Sequence, residues 1–321
     1  MQRVVEVALT TPPASDLAEI KRLPVEKRSD YTPFLIGNDT PLTTQQIVPY
    51  KRDKNFVLLG TALFRSVDIA CKLAQTEHVF PTIVVIDNSQ KTSQAWERIK
   101  TFFATTELTE SDFLYDEDGF LELVLALQNE NLIRVDTNAS RFFSDFFKAH
   151  SLVYVKTVVE GLVVIEQDWG NLETFTQLKQ IYSDVPIVTY SSNIIDFVDA
   201  ASQVNVLKCI DCLKPDLSFC TNLDPVQKRP TLSHVFIDSC PLIIIEKLGL
   251  SEDVKAAFSA PSSQRDTAIE ANDDTALATL TSELHLNDLE KMVPKYKDKL
   301  SDIVPPANDA AETADSTAKL P

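Results

Sequence analysis

Four apolar runs of strand length, separated by segments with helical periodicity, limit the folds available to this chain more than any other feature of its sequence. In chain order the runs are NFVLL, PTIVVID, GLVVIEQDW and PIVTYSSN. Strands that are apolar throughout are buried on both faces, which is typical of parallel sheets covered by helices on each side. The pattern therefore predicts an α/β fold built as a three-layer sandwich.

Two further apolar runs, LSFCTNL and HVFIDSCPLIIIEKL, follow without a helical segment between them. We expect them to supply the last two or three strands, including the stretch PLIIIEKL. Neighbouring strands with a short connection pair in antiparallel fashion. The prediction is therefore a mostly parallel, Rossmann-like sheet that is closed by an antiparallel hairpin.

Changes in composition divide the chain into four parts. Residues 1–50 are rich in Pro and Thr, with short apolar patches such as YTPFLIG, and are predicted to form an extended arm across the domain. Residues 51–250 carry the alternating pattern of the α/β domain. From Ser251 onward Ala, Asp, Glu, Ser and Thr dominate, which predicts a helical extension over 251–304 and a disordered acidic tail over 305–321.

Charge and cysteine content narrow the class of protein. A formal net charge of −17 disfavours non-specific binding to nucleic acid, which requires clustered Lys and Arg. No apolar run reaches the roughly 18 to 20 residues that span a bilayer, and the N-terminus lacks the apolar length of a secretory signal. Cys209 and Cys212 have the spacing of a redox or zinc pair, but without a second pair we interpret them as core residues of a helix. We expect a cytoplasmic protein without a membrane span, with secretion into a host cytosol as the alternative.

Polar residues follow the predicted strands, and ligands of open parallel sheets bind beyond the carboxyl ends of the strands. Gly60 follows the first strand, Asp87 and Asn88 follow the second, and Asp168 and Trp169 follow the third. Gly60 allows close approach of the backbone, and Asp87 can accept two hydrogen bonds from a ribose diol. The Asp168–Trp169 corner offers an amide edge and a flat apolar face to an adenine.

The same residues have a second interpretation as helix caps. Asn88, Asp168 and Ser192 all carry side chains suited to N-cap positions, where they accept hydrogen bonds from free backbone N–H groups. Both interpretations are open at this stage.

The order of these motifs resembles that of class I S-adenosylmethionine-dependent methyltransferases, over Asn55 to Leu248. In that family a Gly-x-Gly-x-Gly turn follows the first strand, an acidic residue after the second strand holds the ribose, and a Leu-Lys-Pro-Gly-Gly turn precedes the fifth strand. Asp87 matches the acidic residue, and Leu213 to Pro215 match most of the last turn. The resemblance implies S-adenosylmethionine as the cofactor, with these candidate binding residues: Gly60, Ala62, Asp87, Asn88, Asp168 and Trp169.

Two residues depart from the glycine turn of that family. Ala62 and Phe64 stand where the second and third glycines are expected, in a chain with only 6 glycines. The Phe64 ring must either fill the methionine end of the cofactor cavity or turn into the helix–sheet interface. We predict the interface, because burial there contributes roughly 1.5 to 3 kcal/mol.

Catalytic candidates are few, because methyl transfer requires mainly positioning of the two reactants. Asn193 and Ser192 follow the fourth strand, where residues of the family border the substrate, and they are the candidate catalytic pair. Arg65 and Arg229 are candidates for contacting an anionic substrate, and His234 for a base. The sequence predicts no metal site.

The leading functional hypothesis is transfer of a methyl group from S-adenosylmethionine to an unknown acceptor, which is a small molecule or a protein. The main alternative is a catalytically inactive, methyltransferase-fold interaction protein, such as a bacterial effector. Asp87 favours the enzyme, whereas Phe64 and the missing glycines favour the interaction protein. A nicotinamide-dependent enzyme is a third alternative.

Overall fold

The computed structural model describes most of the chain between Ile20 and Ser259. The described residues are 20–21, 23–25, 28–37, 39, 44–105, 107, 119–135, 139–223, 230–237 and 240–259. Arg229, most of the predicted C-terminal extension and the predicted acidic tail lie outside this set.

A single six-stranded sheet forms the centre of the described fold, in the order β3-β2-β1-β4-β5-β6. All neighbouring strands are parallel except β5 and β6, which are antiparallel. The order reverses between β1 and β4, so the topological switch point lies between these two strands. The predicted sheet and its closing hairpin are confirmed, with these bounds: β1 (Val57–Gly60), β2 (Thr82–Asp87), β3 (Val163–Glu166), β4 (Ile187–Ser192), β5 (Leu217–Leu223) and β6 (Pro230–Ile237).

Helices cover both faces of the sheet. They are α1 (Thr44–Ile47), which continues into a 3-10 turn (Val48–Tyr50), then α2 (Phe64–Leu73), α3 (Gln90–Thr105), α4 (Phe120–Asn129), α5 (Ala139–Ala149), α6 (Leu152–Glu160), α7 (Leu172–Ile181), α8 (Ile194–Phe197), α9 (Ala200–Leu213), α10 (Pro241–Leu248) and α11 (Glu252–Ser259). One core lies between the sheet and α2 to α6, and the other between the sheet and α7, α9, α10 and α11. In β1, Leu58 belongs to the first core, whereas Val57 and Leu59 belong to the second. The predicted three-layer sandwich is therefore confirmed.

Two sequence predictions about secondary structure are wrong. PLIIIEKL forms helix α10 rather than a strand: Pro241 occupies its first turn, and Gly249 ends it with a φ of 65°. The periodicity of IIDFVDAASQVNVLKCIDCLK predicts one helix from Ile194 to Lys214, but the structure has two, because the Asp199 side chain accepts a hydrogen bond from the Ser202 N–H and begins α9.

Cys209 and Cys212, which have the spacing of a redox or zinc pair, are free thiols and lie on α9, as the sequence predicts. Cys209 is fully buried, and burial raises the pKa of its thiol. Cys212 is half-buried and lies 3.6 Å from the Thr176 hydroxyl. Nothing in this arrangement resembles a metal pair.

The described part of the N-terminal arm runs over the carboxyl edge of the sheet. Ser29 pairs with Ser89 after β2, and Phe34 pairs with Arg134. The arm then brings Leu35 and Ile36 into the first core, where both are buried. This course places the arm directly over the turn that follows β1.

Candidate functional site

The turn after β1 is closely packed by its own helix. The Ser66 hydroxyl donates to the Thr61 carbonyl at 2.7 Å and lies against Gly60. A methyl group added at Gly60 would overlap Ser66 and lie 2.9 Å from Leu58 Cδ2. Gly60 is therefore required by the approach of α2 to β1, and Ser66 fills the space beside it.

Ala62 keeps a backbone conformation that favours glycine. Its φ is 61°, in the left-handed region, at the position of the second glycine of the family turn. The Ala62 carbonyl accepts a hydrogen bond from Trp96 Nε1 at 3.0 Å. Trp96 thus holds the strained turn in place from α3.

The N-terminus of α2 is capped by the arm. The backbone N–H of Phe64 donates to the Leu35 carbonyl at 3.0 Å, and the N–H of Arg65 donates to the Ile36 carbonyl at 2.7 Å. These groups belong to the first turn of the helix, whose N–H groups lack intrahelical partners and serve as anion-binding groups in many α/β proteins. Here two of these N–H groups already donate to backbone carbonyls of the arm.

Phe64 points into the first core, as the sequence predicts. Its ring is fully buried and contacts the rings of Trp96, Phe103, Phe120 and Phe143, with centroid distances between 5.1 and 6.5 Å. The ring therefore anchors α2 to α3, α4 and α5.

The Asp87 carboxylate is held by the two turns that flank it. It accepts from the Ser89 N–H at 2.8 Å and from the Thr61 hydroxyl at 3.3 Å. Burial raises the pKa of Asp87, and the hydrogen bonds from the Ser89 N–H and the Thr61 hydroxyl partly offset this effect. Asp87 lies at the carboxyl edge of the sheet, but its two oxygens bond to the chain.

The other predicted cofactor residues also bond to one another or to the core. Asn88 Nδ2 donates to Asp168 Oδ2 at 3.1 Å, and the other oxygen of Asp168 accepts from the Gly170 N–H. The Trp169 ring is buried against Phe175, and its N–H donates to a backbone carbonyl of β2. In this structure the indole face is therefore enclosed by the core.

The candidate catalytic pair joins a second, different cluster. Ser192 Oγ lies 3.3 Å from Asn193 Oδ1 and 3.3 Å from Asp39 Oδ2, an atom of the arm. Asp39 Oδ2 also accepts from the Tyr190 hydroxyl at 2.6 Å and from the Thr221 hydroxyl at 3.1 Å. Three hydroxyl groups of β4 and β5 therefore converge on one carboxylate oxygen.

Arg65 links this cluster to α2. The guanidinium donates to the Asp39 backbone carbonyl at 3.1 Å and pairs with Asp68 at 3.3 Å, and its Nε lies 3.8 Å from Asp39 Oδ1. Lys72 pairs with the same oxygen of Asp68, Oδ2, at 2.8 Å. Burial and the charge of Asp39 raise the pKa of Tyr190, so its hydroxyl stays protonated as a donor.

The structure thus divides the predicted site residues into two groups. Gly60, Ala62, Asp87, Asn88 and Asp168 lie around the turns after β1, β2 and β3, and Trp169 lies in the core beneath them. Ser192 and Asn193 lie at the switch point with Asp39, Tyr190 and Thr221, which the sequence analysis did not select. The nearest sequence signal is an acidic residue two positions after the apolar patch YTPFLIG of the arm.

Two cavities lie away from both groups. One of about 410 Å³ opens at β6 and α10, with His234, Phe236, Ile237, Cys240, Ile243 and Lys247 in its lining. Burial and nearby Lys247 lower the pKa of His234, whose ring lies 3.1 Å from Asn222 Oδ1. The other, of about 530 Å³, lies at β3 between Lys21, Lys100 and Glu97.

The described residues contain no group of three or more His, Cys, Asp or Glu side chains arranged to hold a metal ion. Within the same residues, no helix is both long and apolar enough to cross a membrane. No known family model matches the chain, and a search of curated proteins finds no significant relative.

Proposed function

We propose that this chain is a methyltransferase-like interaction protein without catalytic activity. One observation carries the proposal: the arm carbonyls of Leu35 and Ile36 take the backbone N–H groups of the turn where a cofactor would bind. Breaking a buried hydrogen bond of this kind without supplying a new partner is unfavourable, because an unpaired buried amide costs about 1 to 3 kcal/mol. A cofactor would therefore have to compete with the protein's own chain.

The anchoring of the arm supports the proposal. Leu35 is fully buried and Ile36 is 3% exposed, so both side chains are part of the first core. The Leu35 N–H also donates to the Arg134 carbonyl at 2.8 Å. Removing the arm from the turn would expose apolar surface of both side chains, at roughly 1.5 to 3 kcal/mol each.

An exposed apolar surface supports the interaction half of the proposal. Ile237 on β6 is 60% exposed, and Leu242 and Ile243 on α10 are also exposed beside the 410 Å³ cavity. Clustered apolar side chains at a sheet edge are typical of surfaces that contact other proteins. Replacing Ile237 and Ile243 together by Ser should lower the fluorescence of the apolar dye ANS bound to the native protein, with an unchanged melting temperature. Equal dye binding by both proteins would remove this support.

The methyltransferase is the second candidate, and one observation favours it. The φ of 61° at Ala62 preserves the backbone course of a glycine turn in a chain that has alanine there. On this hypothesis the arm would leave the turn when the cofactor binds.

Calorimetry against S-adenosylmethionine and S-adenosylhomocysteine separates the two candidates. We expect no heat of binding from the wild-type chain. Saturable binding at one site per chain that Asp87→Ala weakens about tenfold or more would overturn the proposal and support the enzyme, since charged hydrogen bonds contribute about 1.5 to 3 kcal/mol. Ser29→Ala, at the outer part of the arm, serves as the matched control.

A further inference from the structure

The convergence of donors on Asp39 is the least expected feature of the switch point. Tyr190 and Ser192 come from β4, Thr221 from β5 and Arg65 from α2, and all four approach the carboxyl or carbonyl group of one arm residue. Asp39 is separated in sequence from Tyr190 by 151 residues. The fold itself therefore supplies the donors, and the arm supplies the acceptor.

The position of these donors is that of a ligand site. In open α/β sheets, ligands bind beyond the carboxyl ends of the strands at the point where the strand order reverses. Here that point lies between β1 and β4. Hydroxyl groups and a guanidinium that meet there are complementary to a negatively charged group of a ligand.

Several buried polar atoms of the cluster have no hydrogen-bond partner in the part of the chain that the structure describes. They are Asp39 Oδ1, Arg65 Nε and Asn193 Nδ2. The residues that carry them are at most 8% exposed. Because buried polar atoms are almost always paired, this cluster accommodates Asp39 incompletely.

A side chain tethered to the arm cannot tilt freely to complete these bonds. The separation of 3.8 Å between Arg65 Nε and Asp39 Oδ1 is too long for a hydrogen bond. The other two guanidinium nitrogens of Arg65 bond to the Asp39 carbonyl and to Asp68. A free carboxylate in the same place could therefore accept from Nε and also from Asn193 Nδ2. The unpartnered atoms therefore point to an external carboxylate as the better occupant.

We propose that Tyr190, Ser192, Thr221 and Arg65 form a binding site for a small carboxylate ligand, and that Asp39 occupies it as a tethered substitute. The ligand displaces the Asp39 side chain, and Asn193 Nδ2 completes its coordination. The proposal goes beyond the interaction function and does not rest on it, because it concerns the switch point rather than the turn after β1 or the apolar surface at β6.

Chemical rescue tests the proposal. Asp39→Ala vacates the carboxylate position, and we expect its melting temperature to rise with added acetate, but not with chloride at equal ionic strength. Acetate should bind the variant saturably, and it should raise the melting temperature of the wild-type protein by a smaller amount, since there it must displace the Asp39 side chain. Phosphate is the second probe: a larger rise with phosphate than with acetate would overturn the assignment to carboxylates.

Two further variants keep the test specific. Asp68→Ala removes another buried carboxylate of Arg65 and should show no rescue by acetate. Adding Tyr190→Phe to Asp39→Ala deletes the donor of the 2.6 Å bond and should weaken acetate binding about threefold or more. Equal rescue of Asp39→Ala and Asp68→Ala would contradict the proposal.

A folding defect does not prevent the test. If Asp39→Ala is unfolded in chloride, acetate is expected to restore its native circular dichroism signal. Failure of acetate to raise either the melting temperature or the folded fraction would overturn the proposal.

Discussion

Two buried aspartates lie at the carboxyl edge of the same sheet, and their surroundings differ. Asp87 is held by residues close to it in the neighbouring turns, and its oxygens bond to Ser89 and Thr61. Asp39 comes from the arm and accepts hydrogen bonds from hydroxyl groups of β4 and β5, and its other oxygen has no hydrogen-bond partner among the described residues.

Of the two carboxylates, Asp87 belongs to the framework of the sheet edge. The Asp87 contacts connect the turns after β1 and β2, as a structural clamp would. The Asp39 contacts fill a donor-lined position from outside the sheet, as a ligand would. The sequence pattern favours Asp87 as the functional carboxylate, whereas the contacts in the structure favour Asp39.

The largest expected effect concerns Phe64, which anchors the helix between the two aspartates. Phe64→Ala should lower the free energy of unfolding by about 3 to 5 kcal/mol, because the ring contacts four other aromatic rings in the core. Urea unfolding measures the change. Val153→Ala, at a position 77% exposed, is the control and should change little. A loss below about 1 kcal/mol for Phe64→Ala would show that α2 is anchored elsewhere.

Gly60→Ala should lower the free energy of unfolding by about 1 to 3 kcal/mol through overpacking against Ser66 and Leu58. Gly161→Ala is the matched control, since a methyl group there would meet its nearest atom at 3.5 Å and the backbone φ is −75°. The control should be neutral or slightly stabilising. If Gly60→Ala is equally neutral, Gly60 is not closely packed against Ser66 and Leu58. The turn would then have space for a ligand.

Titration of Asp87 is expected to change the free energy of unfolding with pH. Its pKa is raised in the folded state, so the folded protein binds this proton more tightly than the unfolded chain. Its favourable contribution is complete below the ordinary value of 3.8 and is lost as pH rises through the folded pKa. The stability of wild type relative to Asp87→Asn should therefore fall over this window, by about 1.4 kcal/mol per unit of pKa difference.

Urea titrations of both proteins at several pH values above 4 measure this difference. A difference that increases with pH would instead indicate an ionised, strongly stabilised carboxylate. Asp87 would then resemble a binding group more than a clamp.

The smallest expected effect is at Ala62. Ala62→Gly should raise the free energy of unfolding by about 0.5 to 1 kcal/mol, because glycine adopts a φ of 61° without steric strain. Ala256→Gly, at an exposed position within α11, should lower it by about 1 kcal/mol. Opposite signs for the two substitutions support the strained turn, whereas a loss at Ala62 would contradict it.

The strands were predictable from sequence because their apolar runs reflect burial on both faces. Helices α6 and α10 were harder, since SLVYVKTVVE and PLIIIEKL are rich in β-branched residues that favour strands. Within α10 the buried positions are Pro241, Ile244, Ile245 and Leu248, a helical spacing that the exposed Leu242 and Ile243 obscure. Because both the buried and the exposed positions of α10 are apolar, the sequence does not show the helical period.

The site was predictable only where it depends on local sequence. Gly60, Asp87 and Ser192 are the last residues of β1, β2 and β4, so their place at the sheet edge could be read from the pattern. The role of Asp39 could not, because its partners lie up to 182 residues away and depend on how the arm crosses the sheet. The capping of α2 by backbone carbonyls also leaves no side-chain signal.

Hydrogen exchange at the backbone amides of Phe64 and Arg65 reports whether the arm caps these two groups. Their exchange should be slowed to a degree comparable with Leu58 in the central strand β1, because each amide donates to a buried carbonyl of the arm. Uncapped amides in the first turn of a helix exchange rapidly. Rapid exchange at Phe64 and Arg65, with Leu58 protected, would show that the turn is free to receive a cofactor and would contradict the account.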